Sequence, residues 1–106
     1  QEQRQDRHGS ETEMITAAGG RYLVEGPVTL ANVNTLLAEG LGFEGEQVLV
    51  DFSKTTEVDS SAVSLMLEWR RRLRGDNRDI VYANLGANLT SLVDLYGVAE
   101  LVPLAA

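Results

Sequence analysis

The stretch that decides the fold covers residues 48–73 and reads VLVDFSKTTEVDSSAVSLMLEWRRRL. It begins within a nearly continuous apolar run, 47–52, which is typical of a central strand covered on both faces. A short polar segment follows, and from residue 62 to residue 74 apolar residues recur at helical spacing. Asp59-Ser60-Ser61 precedes that helix. The stretch therefore predicts a strand, a polar loop and a helix in that order.

Two elements are predicted before this stretch. The runs 14–18 and 22–25 flank Gly19-Gly20, a pair that favours a β-hairpin turn. Thr29 can cap a helix. The apolar residues after it recur at helical spacing and predict the stripe that this first helix buries: Leu30, Val33, Leu36, Leu37 and Leu41.

A strand, a helix and a candidate edge strand are predicted after this stretch. Residues 79–83 (DIVYA) form a buried type of strand, and residues 85–96 a last helix ended by Gly97. Residues 98–104 are a candidate edge strand. Strands that alternate with helices indicate an α/β fold with parallel βαβ units.

The bulk composition narrows the class of protein. The chain has 106 residues, enough for one domain, which we place at 14–106. Residues 1–13 are polar and predict a flexible tail or tag remnant that includes His8, the only histidine. The net charge of −7 argues against nucleic-acid binding. No apolar run approaches the ~20 residues of a transmembrane helix, so we expect a cytoplasmic protein.

The usual signatures of catalysis are absent from the sequence. There is no phosphate-binding GxxxxGK[ST] loop, no GxGxxG and no cysteine, and Lys54 is the only lysine. Metal sites and a Ser-His-Asp triad would both depend on the histidine of the tail. We therefore expect no enzyme activity, no metal and no cofactor.

Asp59, Ser60 and Ser61 have two interpretations. The commonest reason for such residues at a helix start is capping of the free backbone N–H groups, and the residues alone favour it. The alternative is a phosphorylation or partner-contact site, since a phosphate at this position would be stabilised by the helix dipole.

The second helix carries more apolar surface than one stripe needs. Leu65 and Trp69 lie on a different side from Val63, Met66 and Leu67. One interpretation is that the third helix covers them. The other is that they are exposed beside the arginines at 70, 71, 72 and 74 and bind a protein partner, because tryptophan and arginine are enriched at interfaces.

The same stretch resembles the STAS family, the domains of sulfate transporters and anti-sigma-factor antagonists. The resemblance rests on 50–53 (VDFS) and 58–63 (VDSSAV), and it extends over about 14–104. It implies a single STAS-like α/β domain. Such a domain has a mixed β-sheet of four to five strands, with three or more helices packed mainly on one face.

Two branches of the family fit this sequence. Residues 26–29 (GPVT), 64–69 (SLMLEW) and 95–98 (LYGV) are similar to the STAS subunit of the Mla phospholipid ABC transporter of Gram-negative bacteria. That branch implies a non-catalytic protein that binds the ATPase subunit and supports its assembly and activity in outer-membrane lipid asymmetry. It would be held at the inner membrane through this partner, with Ser60 as a key contact.

Anti-sigma-factor antagonists, the other branch, are switched by phosphorylation of the serine that corresponds to Ser61, and they bind a kinase-like anti-sigma factor. They usually carry GELD before the first helix, where this chain has GPVT, and mostly glycine where it has Ala62. We keep this branch as the alternative, with Ser61 and Ser60 as possible phosphorylation sites. For either branch we expect the partner surface to comprise Asp59, Ser60, Ser61, Ser64, Leu65, Glu68, Trp69 and Arg72.

Overall fold

The computed structural model describes residues 13–105 and forms one four-stranded mixed sheet. The strands are β1 (Ile15–Ala18), β2 (Arg21–Val28), β3 (Gln47–Val58) and β4 (Asp79–Ala83), in the order β1-β2-β3-β4. β1 is antiparallel to β2, whereas the β2–β3 and β3–β4 pairs are parallel. The predicted α/β sheet is therefore confirmed. The predicted tail at 1–13 lies outside the described residues except for Glu13.

Three helices accompany the sheet: α1 (Val33–Glu39), α2 (Ser60–Gly75) and α3 (Gly86–Leu95). Short 3-10 turns follow α1 at Gly40–Gly42 and α3 at Ala99–Leu101. The predicted hairpin is present, since Gly19 and Gly20 join β1 to β2 at φ angles of 60° and 82° that glycine adopts without strain.

The core lies between the helices and one face of the sheet. Alternate residues of the central strands face it, and they are fully or almost fully buried: Val48, Val50, Phe52, Ile80 and Tyr82. The intervening Leu49 and Val81 are half-buried. This period of two places the helices mainly on one face, as expected. The Tyr82 hydroxyl donates to the Met66 carbonyl at 2.6 Å and ties α2 to β4.

The candidate edge strand at the C-terminus is rudimentary. Only Leu104 forms a β-bridge, parallel to Tyr82 of β4. Tyr82 donates its N–H to the Pro103 carbonyl at 2.8 Å, and Ala105 donates to the Tyr82 carbonyl at 2.8 Å. Since Pro103 has no N–H to give to a ladder, the segment cannot extend into a full fifth strand.

Two predictions about the elements beside the site were wrong. β3 does not end near Phe52 but continues to Val58, because its second half pairs with the end of β2, up to the Val28–Val58 pair. No loop precedes Asp59. The first helix begins at Val33 rather than after Thr29, so Leu30 lies in a turn. Leu41 lies in the 3-10 turn after the helix, and both leucines are exposed rather than on the buried stripe.

Candidate docking site

Asp59 is the residue around which the site is built. It has extended backbone angles and caps α2, because its Oδ1 accepts the Ser61 N–H at 2.8 Å. Its Oδ2 accepts the N–H of Leu30 at 3.1 Å, and its own N–H donates to the Val28 carbonyl at 3.3 Å. Hydrogen bonds from Leu30 and Ser61 lower the pKa of Asp59. One carboxylate thus joins the helix start to the turn after β2.

Ser60 and Ser61 open α2 directly after this cap. Ser60 is exposed and Ser61 is half-buried. The prediction that the two serines lie at the start of the second helix is confirmed, and so is the capping interpretation of Asp59. The capping and functional interpretations are compatible, because Asp59 caps the helix while the Ser60 side chain remains exposed.

An exposed stripe continues from Ser60 along α2. Ser64 is exposed one turn later, and Glu68 follows it. The Glu68 carboxylate accepts from Arg71 Nε at 3.0 Å and from Arg72 Nε at 3.0 Å. The hydrogen bonds with Arg71, and then those with Arg72, lower the pKa of Glu68 to about 2. The stripe therefore changes from neutral hydroxyls at its start to a network of paired charges.

Leu65 and Trp69, expected on the partner surface, are core residues. Leu65 is 0% exposed and Trp69 is 2% exposed. The expectation failed because α2 packs against α1 and the turn after it as well as against the sheet, so two sides of the helix are buried. The alternative interpretation expected the third helix to cover part of this surface; α2 does contact α3, but the Trp69 indole lies against Gly40 and Phe43.

Trp69 fits closely against the 3-10 turn. A Cβ built on Gly40 would lie 2.1 Å from the indole Nε1, and the Phe43 ring packs edge-on at a centroid distance of 5.1 Å. Among the described residues, Nε1 has no hydrogen-bond acceptor. The indole is therefore held by shape and by apolar contact, and only a glycine fits beneath it.

Leu30 belongs to the site, although its sequence pattern indicated the core. Its side chain is 75% exposed and its backbone is bonded to Asp59. A signal was present in the sequence: Thr29 and Asn32 are typical of turns and helix caps and leave Leu30 outside the helix. The bond to Asp59, 29 positions away, could not be predicted from local pattern.

Asp51, from the VDFS part of the motif, has a structural role. It is 2% exposed, and it accepts hydrogen bonds from the Ser53 N–H at 2.7 Å, from Asn84 Nδ2 at 3.0 Å and from the Arg21 guanidinium. Burial alone would raise the pKa of Asp51, but these hydrogen bonds outweigh it and lower the pKa to about 2. Asp51 thereby holds β2, β3 and the end of β4 together.

The described residues show neither a metal-binding group nor a membrane-spanning helix. Residues 13–105 contain no group of three histidine, cysteine or acidic side chains arranged to hold a metal ion. In the same part of the chain, no helix is both long and apolar enough to cross a bilayer.

Comparison with known proteins identifies the family. The profile of the family described as "Mlab, STAS domain" matches residues 15–103. No curated protein matches the chain. Among solved structures, the anti-sigma factor antagonist SpoIIAA in its unphosphorylated form is similar, with a TM-score of 0.66 and 15% identity over 87% of this chain and 86% of that one. The crystal structure of Mglu is also similar, with a TM-score of 0.52 and 17% identity over 70% of this chain and 20% of that one.

At these identities the two structures show a shared fold and nothing more. The family profile covers most of the chain, including the strand, cap and helix that carry the resemblance seen in the sequence. The chain belongs to the MlaB-type STAS domain family.

Proposed function

We propose that this chain is a non-catalytic subunit that binds the ATPase subunit of an Mla-type phospholipid ABC transporter. It supports the assembly and activity of that transporter in outer-membrane lipid asymmetry, and it lies in the cytoplasm, at the inner membrane only through its partner. The family profile supports the transporter branch. The observation that carries the docking role is that the Asp59 carboxylate bonds both the turn with the exposed Leu30 and the start of α2, where Ser60 is exposed.

The geometry suits recognition better than turnover. The exposed hydroxyls of Ser60 and Ser64 can each donate and accept a hydrogen bond. The exposed side chain of Leu30 supplies apolar surface that a partner can bury. The basic and acidic groups further along α2 are already paired with each other, as Glu68 is with Arg71 and Arg72. Such rim charges set orientation more than affinity.

The direct test is complex formation with the purified ATPase subunit. Size-exclusion chromatography detects the complex, and the ATPase rate reports its activity. Ser60→Glu should weaken binding about tenfold or more, because a charge would have to be desolvated in the interface. Ser91→Glu is the matched control, since Ser91 is an exposed serine on α3. Equal binding by the two variants would contradict a docking surface at Ser60, and no binding by the unmodified chain would contradict the proposed partner.

The alternative function is that of an anti-sigma-factor antagonist regulated by serine phosphorylation. The observation in its favour is the likeness in fold to SpoIIAA. Ser60, as the exposed hydroxyl, is more accessible to a kinase than the half-buried Ser61. Incubation with a kinase-like anti-sigma factor and ATP tests this alternative: stoichiometric phosphate on Ser60 or Ser61 supports the antagonist, and no phosphate on either serine argues against it.

A further inference from the structure

Leu30 is unusual among the exposed apolar residues of this protein. Six large hydrophobic side chains are exposed in the described part of the chain: Leu30, Leu41, Leu95, Tyr96, Leu101 and Leu104. Leu30 has the largest exposed fraction, 75%, and it alone of the six is hydrogen-bonded to the residue that caps α2. None of the described residues covers Leu30, so its side chain is accessible to a partner.

The turn that carries Leu30 is rigidly held. The Thr29 carbonyl accepts the N–H of Asn32 at 2.9 Å and that of Val33 at 3.0 Å, and the Thr29 hydroxyl donates to Asn32 Oδ1 at 2.9 Å. Together with the bond from Leu30 to Asp59, these contacts fix both ends of the turn. A side chain presented by a fixed backbone loses little conformational freedom on binding, so more of its burial contributes to affinity.

The charges around Leu30 indicate what can cover it. The acidic side chain shown beside Leu30 is Asp59, whose carboxylate accepts the Leu30 N–H at 3.1 Å. The arginine group of α2 begins only at Arg70, ten residues beyond Ser60 and therefore about 15 Å along the helix. An apolar side chain beside a carboxylate and away from the arginines fits a pocket with a basic rim on a protein, and an anionic bilayer would repel that carboxylate.

We propose that Leu30 is the main apolar anchor of the docking surface and inserts into an apolar pocket of the partner protein that is bordered by lysine or arginine side chains. This inference rests on the proposed function and adds to it the residue that dominates affinity and the chemistry of the partner's pocket. It also assigns to Leu30 the role that the sequence pattern had suggested for Trp69.

The test compares two leucines of equal exposure. Leu30→Ala and Leu41→Ala each remove a side chain from water-exposed positions, 75% and 72% exposed, but only Leu30 lies beside Asp59. Titration of the ATPase subunit by calorimetry should give a dissociation constant raised about tenfold or more for Leu30→Ala and changed less than about twofold for Leu41→Ala. Binding should weaken as the salt concentration rises, because the Asp59 carboxylate would face the basic rim; binding that salt does not change would overturn the basic rim.

The outcomes separate this inference from the function on which it rests. If Leu30→Ala binds as the unmodified chain does while Ser60→Glu is weakened, the docking function stands and the role of Leu30 is overturned. Equal losses for Leu30→Ala and Leu41→Ala would also overturn it, because the effect would not be specific to the position. If the unmodified chain does not bind the ATPase subunit, both proposals fail together.

Discussion

Trp69 and Leu30 occupy opposite kinds of environment, each the reverse of what its sequence context suggests. Trp69 stands among arginines on a helix with surplus apolar surface, yet it is 2% exposed. Leu30 stands at the head of an apolar helical repeat, yet it is 75% exposed. The difference arises from the elements that meet each residue: α1 and its 3-10 turn close over Trp69, whereas a turn bonded to Asp59 holds Leu30 outward.

The apolar character of a residue predicts that it will be buried, but it does not predict whether its own chain or a partner will bury it. Trp69 is covered within the chain, so its burial stabilises the fold. Leu30 is not covered within the described residues, and we propose that its burial stabilises a complex with the partner. Substitutions that separate stability from binding therefore test the contrast directly.

Trp69→Ala is expected to have the largest effect on stability. Removal of a fully packed indole should lower the free energy of unfolding by about 3–5 kcal/mol. Urea unfolding monitored by circular dichroism measures this change. Trp69→Phe should cost less, because it keeps apolar volume and removes an N–H that has no acceptor among the described residues. If Trp69→Ala unfolded at the same urea concentration as the unmodified chain, Trp69 would not be a core residue.

Gly40→Ala should follow, with a cost of about 1–3 kcal/mol, because its Cβ would overlap the Trp69 indole. Gly42→Ala is the matched control in the same turn, since nothing lies within 4 Å of its Cβ position. It should be neutral or stabilising by up to about 1 kcal/mol. Equal melting temperatures for the two variants would show that the indole can move away.

Acid should reveal the buried polar cluster at Asp51. Its pKa is lowered from 3.8 to about 2, so its contribution is complete above about pH 5 and is lost as the pH falls through about 2. Because the side chain of Arg21 is 40% exposed, solvent screens the pair and the contribution is at most about 2 kcal/mol. Asp51→Asn should flatten this part of the stability–pH curve; an unchanged slope between pH 4 and pH 2 would contradict the role of Asp51.

Leu30→Ala should have the smallest effect on stability, within about 0.5 kcal/mol, as should Leu41→Ala. Thermal unfolding of both variants beside the unmodified chain checks this. A loss of more than about 2 kcal/mol for Leu30→Ala would place Leu30 in the core after all and would end the contrast with Trp69.

Much of the fold could be predicted from the sequence, because its signals are local. Gly19-Gly20 indicated the hairpin, Asp59 the cap and Gly97 the end of α3, which it follows at a φ of 68°. The errors lie where long-range contacts decide. The extension of β3 depends on pairing with the end of β2, and the start of α1 on a bond between positions 29 apart.

The most direct test of the account is a hydrogen-exchange footprint of the chain with and without the ATPase subunit. We expect slower exchange on binding in the segments 28–34 and 57–65, which carry Leu30 and Ser60, and no change around residues 40–43 beneath Trp69. Slower exchange confined to other segments, such as 90–104, would contradict the proposed docking surface even if the two proteins form a complex.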